Sequence, residues 1–253
     1  RRAAAAFPPA AWSTRLMPGL RTRGLFVTGT DTGVGKSLVS AGLLRAAASR
    51  GLRSTGVKPL AAGARYQDGI RANDDALLLQ AASSAPLDYA ATNPVLLQAA
   101  MAPHVAAVAE GVTLDAAALA AHCRDAARSG SDLLLAEGAG GWLVPLNARQ
   151  TMADVAVALG WPVLLVVGMR LGCLNHALLT ADAVRQRGRA LVGWIANTLD
   201  PAMPGREANI EYLRYRIGAP LLGVLPHFGE GARRAGKGYD WLTNPGPLRE
   251  LHR

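Results

Sequence analysis

The sequence predicts an α/β protein: a single-domain, doubly wound, mainly parallel sheet with helices on both faces. Two observations support this fold. Short, uninterrupted apolar runs alternate along the chain with longer helical patterns, and such runs are typical of parallel strands that are buried on both faces. In addition, 253 residues that are 50% hydrophobic are enough for one sizeable core. Functional residues are therefore expected at the carboxyl ends of the strands.

The predicted elements follow one another from residue 24 onward. Strands are predicted at 25–27, 54–58, 132–137, 162–168, 191–197 and 220–225. Helices are predicted at 38–50, 73–82, 114–128, 152–159, 174–187 and 207–216, with Asn73 or Asp74 as the cap of the second. No internal repeat or linker divides the chain, so residues 24–253 are predicted to form one domain. No pattern supports an element in the tail from about residue 229.

Residues 1–23 are rich in alanine, proline and arginine and lack a periodic apolar face. A transit peptide is basic and acid-poor in the same way. We favour a simpler interpretation, either a non-native leader or a start site placed too early, with Met17 as the true start. The segment is therefore excluded from the fold as a disordered or non-native leader.

Composition narrows the class of protein. Five arginines of the leader supply much of the net charge of +9, and no basic stripe is interleaved with aromatic residues, so a nucleic-acid partner is not expected. No apolar run reaches about 18 residues, so no membrane span is expected. Cys123 and Cys173 are predicted to be buried, reduced thiols of a cytoplasmic protein.

A glycine-rich loop follows the first strand, ends in Gly35-Lys36-Ser37 and precedes a helical pattern. This order is typical of a P-loop, whose backbone N–H groups surround a phosphate at a helix N-terminus. Lys36 would then reach the terminal phosphates, and the Ser37 hydroxyl would ligate Mg²⁺. Five residues separate Gly29 from Gly35, one more than in the commonest form. A glycine-rich turn without a nucleotide is the less favoured alternative.

Polar residues also stand at the ends of three other predicted strands. Lys58 follows the second strand, and it is one of only three lysines in an arginine-rich chain, the others being Lys36 and Lys237. Such scarcity suggests that a compact ammonium group is needed at the first two, whereas Lys237 fits a surface charge. Glu137 ends the third strand, where it would hold Mg²⁺ or act as a turn acid. Asn197 ends the fifth, where its amide would contact adenine or cap a turn.

The chain resembles the dethiobiotin synthetase family over residues 24–230. Six separated motifs carry the resemblance: Val-Thr-Gly-Thr-Asp-Thr-Gly-Val-Gly-Lys-Ser, Gly-Val-Lys-Pro-Leu-Ala, Asn-Asp-Asp-Ala-Leu, Glu-Gly-Ala-Gly-Gly-Trp, Leu-Gly-Cys-Leu-Asn-His-Ala and Trp-Ile-Ala-Asn. The resemblance implies a P-loop NTPase fold, a homodimer, and Mg²⁺-dependent use of ATP. It also implies closure of a cyclic urea from CO2 and 7,8-diaminononanoate, through a carbamate and a carbamic-phosphoric anhydride.

The resemblance also implies residue roles. Catalytic contacts to the carbamate and phosphates fall to Thr32, Lys36 and Lys58, and Mg²⁺ to Ser37, Asp75 and Glu137. The nucleotide site would comprise Gly33, Val34, Gly35, Lys36, Ser37, Leu38, Asp75, Glu137, Gly138, Ala139, Gly140, Asn197, Thr198, Pro226, His227 and Phe228. The diamine substrate would contact Ala62 and, across the dimer interface, Gly172, Cys173, Leu174 and Asn175.

The sequence departs from the family pattern in two places. Ala62 replaces a frequent serine, and Arg233 and Arg234 stand where an acid can hold the ribose.

Three other functions are alternatives. The first is an ATPase switch of the partitioning or septum-site type, but such switches carry an additional lysine in the P-loop, and Asp31 occupies that position here. A cobyrinate-type amide synthetase would need a glutaminase domain, which this sequence lacks. A non-catalytic nucleotide-binding module is the third. Cys173 with His176 is interpreted as a buried thiol beside a helix-start histidine, not as a nucleophilic pair.

Overall fold

The computed structural model describes residues 24–67 and 69–228. The leader at 1–23, the tail from 229 and the three basic residues Arg233, Arg234 and Lys237 lie outside this part of the chain. Within it the strands are β1 (Gly24–Gly29), β2 (Ser54–Val57), β3 (Leu60–Ala62), β4 (Arg65–Gln67), β5 (Ile70–Ala72), β6 (Val95–Leu97), β7 (Leu133–Gly141), β8 (Val163–Met169), β9 (Leu191–Thr198) and β10 (Leu221–Leu225).

The helices of the described residues fall between these strands. They are α1 (Lys36–Ala48), α2 (Asp74–Ala82), α3 (Tyr89–Thr92), α4 (Pro103–Ala109), α5 (Ala116–Ala127), α6 (Met152–Leu159), α7 (Cys173–Gln186) and α8 (Arg206–Arg216). None of the helices in this part of the chain has both the length and the apolar character that crossing a bilayer requires.

A six-stranded sheet forms the centre of the fold, in the order β10-β9-β8-β1-β7-β2, and all its pairings are parallel. The strand that precedes the glycine-rich loop lies inside this sheet, with β8 on one side and β7 on the other. The strand order therefore changes direction at β1, the point where α/β sheets place ligands at the carboxyl ends of their strands. The predicted doubly wound parallel fold is confirmed.

Both faces of the sheet are covered. Side chains of successive residues in a strand point to opposite faces, and in β1 Leu25 and Val27 join a core with α1, whereas Phe26 joins a core with α5 and α6. A third core packs α7 and α8 against β8 and β9. Strand β8 is buried along its whole length and is a continuous apolar run, as the prediction assumed, whereas β10 at the edge of the sheet is mostly half-buried.

Two details differ from the sequence-based expectations. Strand β7 continues through the glycine-rich segment to Gly141, so Glu137 lies within the strand and not at its end. The pairing with β1 shifts between Val27–Glu137 and Gly29–Gly141, and Gly140, with φ 60°, fits this irregularity. The short elements β3 to β6, α3 and α4 were not predicted, because each has fewer than eight residues and lacks a sustained period.

Candidate functional site

The glycine-rich loop lies over the carboxyl end of the sheet and is braced from β9. Gly35 has φ 92°, and a Cβ atom there would lie 2.2 Å from the Asn197 Nδ2 atom. That Nδ2 atom donates to the Val34 carbonyl over 2.7 Å. Position 35 therefore requires glycine for its backbone conformation and for its approach to Asn197. Asn197 is 1% exposed, so this brace is a fixed part of the loop.

Lys36 is the first residue of α1, and its ammonium group turns back into the loop. The Nζ atom donates to the Asp31 carbonyl over 3.1 Å. Burial and the nearby charge of Lys58 together lower the pKa of Lys36 to about 8, although Glu137 and Asp75 oppose this shift. The loop thus holds a cation that lacks a full counter-charge, and an anion in the loop would supply one.

Lys58, Glu137, Asp75 and Ser37 form a second charged group beside the loop. The Lys58 Nζ atom lies 2.5 Å from Glu137 Oε1 and 3.1 Å from Asp75 Oδ2. The Ser37 hydroxyl donates to the same Glu137 oxygen over 2.8 Å. Lys58 and Glu137 are 4% and 0% exposed, whereas the Asp75 side chain is 47% exposed. We call these four residues the charge cluster.

The ionisation states in the charge cluster are fixed by mutual contact. Burial alone would lower the pKa of Lys58, but Glu137 and Asp75 outweigh it and raise that pKa above its usual range. Burial likewise opposes ionisation of Asp75, yet the charge of Lys58 holds the pKa of Asp75 below its usual value. Lys58 therefore stays charged throughout the physiological range, in contrast to Lys36.

The charge cluster fits a divalent cation that has phosphate ligands. Glu137 Oε2 is buried and has no hydrogen-bond partner, and a buried carboxylate oxygen without a partner is costly unless it is satisfied. Within 24–67 and 69–228, no group of three or more His, Cys, Asp or Glu side chains is arranged to hold a metal. Mg²⁺ is commonly held by one or two carboxylates, phosphate oxygens and water, and the donors Ser37, Asp75 and Glu137 match that set.

The predicted adenine residues come together at the adjoining ends of β9 and β10. Leu225 pairs with Asn197 in the sheet, and the His227 ring Nδ1 lies 3.4 Å from the Thr198 carbonyl. Phe228 packs partly buried against the core beneath α1. The Asn197 Oδ1 atom is buried without a partner, so this amide oxygen can accept a hydrogen bond from a ligand.

The predicted substrate residues lie in two places. Ala62 ends β3 and is partly buried. Gly172, with φ 91°, caps α7, which begins at Cys173. The Cys173 thiol is 1% exposed, and burial raises its pKa. Asn175 and His176 are exposed on the first turn. Cys173 is therefore an unreactive buried thiol, as expected, and Cys123 is likewise free and buried.

One link between the nucleotide loop and the predicted substrate loop was not predicted from the sequence. Arg170 pairs with the Asp31 carboxylate, and the other oxygen of that carboxylate accepts from the Thr32 N–H. Thr32 itself is exposed and lies near Gly140: its hydroxyl is 3.3 Å from the position that a Cβ atom would take if residue 140 had one. Tyr89 and Asn93, which contact the main chain around the charge cluster, were also missed.

The fold defines a P-loop protein, with its glycine-rich loop and the charge cluster at the carboxyl edge of the sheet. A family model described as an AAA domain matches residues 23–230. An ATP-dependent dethiobiotin synthetase BioD of Cellvibrio japonicus is 53% identical over 87% of this chain and 96% of the relative. A second ATP-dependent dethiobiotin synthetase BioD, from Aromatoleum aromaticum, is 50% identical over 81% of this chain and 91% of the relative. The chain therefore belongs to the dethiobiotin synthetase family.

Solved structures of other proteins share the fold. A ParA family ATPase from Chlorobium tepidum has a TM-score of 0.51 at 16% identity and covers 87% of this chain and 92% of its own. The septum-site-determining protein MinD from Pyrococcus horikoshii, complexed with Mg-ADP, has a TM-score of 0.51 at 18% identity, with coverages of 86% and 84%. These likenesses show the P-loop fold alone.

Proposed function

We propose that this chain is an ATP-dependent cyclo-ligase that closes the urea ring of dethiobiotin from 7,8-diaminononanoate and CO2. The observation that carries the proposal is the charge cluster: a buried Lys58 between two carboxylates, beside a P-loop lysine. Phosphoryl transfer needs positioning and charge stabilisation and little covalent help from the protein. Identities of 50–53% to two dethiobiotin synthetases support the choice of reaction.

The reaction divides into three steps. One amine of the substrate adds to CO2 and loses a proton, which gives a carbamate. A carbamate oxygen then attacks the γ-phosphorus of ATP, and the bond to the bridging oxygen of ADP breaks. Finally the second amine attacks the carbamoyl carbon and loses a proton, and inorganic phosphate leaves as the ring closes. No step requires a nucleophile from the protein.

Two lysines and the loop would stabilise the charge that moves in the second step. Lys36 and the N–H groups of the loop face the β- and γ-phosphates, and Thr32 lies at the open side of the loop. Lys58 stays charged beside the position of the carbamate. Since these groups are held in place before the substrates bind, the transferring charge meets fixed donors and cations.

Mg²⁺ would be held by Ser37, Asp75 and Glu137, and when bound it neutralises charge on the phosphates. The Glu137 Oε2 atom without a partner supports this assignment. Gly33 to Leu38 would surround the phosphates, and Gly138, Ala139 and Gly140 would border them. Adenine would lie against Thr198 and the segment 226–228, with its exocyclic amine donating to Asn197 Oδ1.

The substrate carboxylate would bind at Gly172, Cys173, Leu174 and Asn175, contributed across a homodimer interface. Asn175 is exposed on the first turn of α7, as a residue that serves a second copy must be. We further propose that residues 24–253 form one domain and that the enzyme works in the cytoplasm, where ATP is available.

The test is urea-ring formation from purified components. The chain is incubated with 7,8-diaminononanoate, ¹³C-labelled bicarbonate, Mg²⁺ and ATP, and labelled dethiobiotin and phosphate are measured together. The expected result is one phosphate for each labelled product, with none formed by Lys36→Ala. ATP hydrolysis that is independent of the diamine, with no labelled product, would contradict the proposal and would favour an ATPase switch.

A further inference from the structure

A chain of hydrogen bonds joins the main chain of Lys58 to the helix that carries Asp75. The Asn93 amide donates to the Lys58 carbonyl over 2.7 Å and to the Val95 carbonyl over 3.1 Å. The Tyr89 hydroxyl donates to Asn93 Oδ1 over 3.1 Å and accepts from the Asn73 N–H over 2.7 Å. The Asn73 side chain accepts from the Asp75 N–H over 3.1 Å and so caps α2.

The same segment also holds the other side of Lys58. The Lys58 N–H donates to the Thr92 carbonyl over 2.8 Å. Thr92 and Asn93, which are 0% and 3% exposed, thus bind both peptide groups of Lys58. Because Pro59 follows and has no N–H, Thr92 and Asn93 supply the hydrogen bonds that fix the backbone from which the lysine extends.

We propose that Tyr89 and Asn93 are positioning residues that lock Lys58 and Asp75 into one unit. The inference rests on the proposed function, in which Lys58 faces the carbamate and Asp75 contributes to the Mg²⁺ site. Lys58 directly follows β2 and Asp75 lies in α2, and their side chains meet at 3.1 Å. Hydrogen bonds from Tyr89 of α3 and from the adjoining Asn93 connect the two elements, so the Lys58 and Asp75 side chains are held in position together.

Burial explains why this chain of hydrogen bonds matters. The Asn93 amide is removed from water, so the loss of its partner leaves a polar group that no solvent satisfies. Tyr89→Phe removes one hydroxyl and nothing else, and it leaves both the Asn73 N–H and Asn93 Oδ1 without the partner. We expect this change to loosen the backbone at residue 58 and at the start of α2 together, although these sites are far apart in sequence.

Amide hydrogen exchange tests the coupling without reference to activity. In Tyr89→Phe, exchange at the Lys58 and Asp75 amides should rise about tenfold each, which is the effect of leaving a buried donor or acceptor unpaired. Exchange at the Asn209 amide in α8 serves as the internal reference and should not change. A rise confined to Asn73, or an equal rise at all amides, would overturn the inference. Tyr215→Phe, an exposed tyrosine on α8, is the matched control.

Kinetics then separate positioning from simple structural support. Since Lys58 acts on charge that develops during transfer, misplacing it should lower kcat of Tyr89→Phe about tenfold, with a change in KM for the diamine below about twofold. Tyr215→Phe should match the wild type in both. Unchanged kcat in a folded Tyr89→Phe variant would contradict a positioning role. An inactive wild type would instead reject the proposed function, and the exchange experiment would still decide on the coupling.

Asn93→Ala provides an independent variant from the other end of the chain of bonds. It removes the donor to the Lys58 carbonyl and should raise exchange at the Lys58 and Asp75 amides, as Tyr89→Phe does. If Asn93→Ala raises exchange at Lys58 but leaves Asp75 protected, the two ends are held separately and the inference is wrong. If Asn93→Ala fails to fold, Tyr89→Phe alone decides by the same criteria.

Discussion

The ATP affinity of this chain should fall as pH rises through about 8. Burial, reinforced by Lys58, lowers the pKa of Lys36 to about 8 in the nucleotide-free chain. Only the protonated Lys36 ammonium offers the positive charge that the phosphates require. The affinity for ATP is therefore lost as the pH rises and Lys36 gives up its proton. From pH 7.5 to 9 the protonated fraction falls about eightfold, and the apparent dissociation constant should rise by the same factor. Lys58 and Asp75 stay ionised over this range.

Calorimetry measures this effect directly. Titrations of ATP at pH 8.5, in two buffers of different ionisation enthalpy, should show uptake of about 0.8 proton per nucleotide, because bound phosphate restores the charge of Lys36. Lys36→Arg is the control, since a guanidinium stays protonated throughout the range; its affinity should be weaker at pH 7.5 but independent of pH. A flat wild-type profile, or the same fall in Lys36→Arg, would refute the reasoning.

Four further variants test other parts of the site. Glu137→Gln should lower turnover by at least about 10²-fold, since a fixed charge at the transferring group is lost; near-normal turnover would exclude Glu137 from the mechanism. Lys58→Arg should also be impaired, because a larger, planar guanidinium cannot take the place of a buried, compact ammonium beside the carbamate, whereas Lys237→Arg should match the wild type in the same assay. Light scattering should show a dimer, and Asn175→Ala should lose activity at sub-saturating diamine; an active monomer would reject the shared site. Ala62→Ser should lower KM for the diamine about fivefold, the value of one hydrogen bond, and leave KM for ATP unchanged.

The sequence predicted the large elements because each follows a simple period. Strand β8 is a run of apolar residues between two helices, and its complete burial confirms the assignment. Helix α2 begins after Asn73, one of the two predicted caps, whose side chain accepts from the Asp75 and Ala76 N–H groups. Local rules of hydrophobicity and capping were enough for these elements.

Apart from α2, the region between β2 and α5 could not be predicted in the same way. Its strands pair as β3 with β6 and β4 with β5, and none exceeds three residues. Such short elements are stabilised by contacts between distant parts of the chain and not by their own periodicity. Helix α3 illustrates the point, because its last residue, Thr92, and the following Asn93 make hydrogen bonds with the main chain of Lys58, which is distant in sequence.

Ala62 shows how the structure limits an interpretation that the sequence left open. If a serine hydroxyl normally contacts the substrate at this position, a nearby backbone N–H is the simplest substitute in this chain. The Gly63 and Ala64 N–H groups, however, both donate to the Leu97 carbonyl over 3.1 Å. Because these donors already hold the end of β3, they do not replace the missing serine hydroxyl. The lower KM for the diamine that is expected of Ala62→Ser should therefore be observable.

Asn197 shows why the role of a single residue could not be fully predicted without knowledge of the fold. The sequence left two alternatives for its amide, contact with adenine or the cap of a turn. In the sheet, Asn197 pairs with Gly168 of β8, and a Cβ atom at Gly168 would lie 2.8 Å from Val34 Cγ1. Because Gly168 has no side chain, Val34 can pack over this point of β8 and place its carbonyl oxygen next to Asn197. One N–H of the amide braces the nucleotide loop, and the Oδ1 atom, which has no partner, is available to a base. This division of one side chain depends on a contact across 163 residues of sequence, and no local pattern around either residue encodes it.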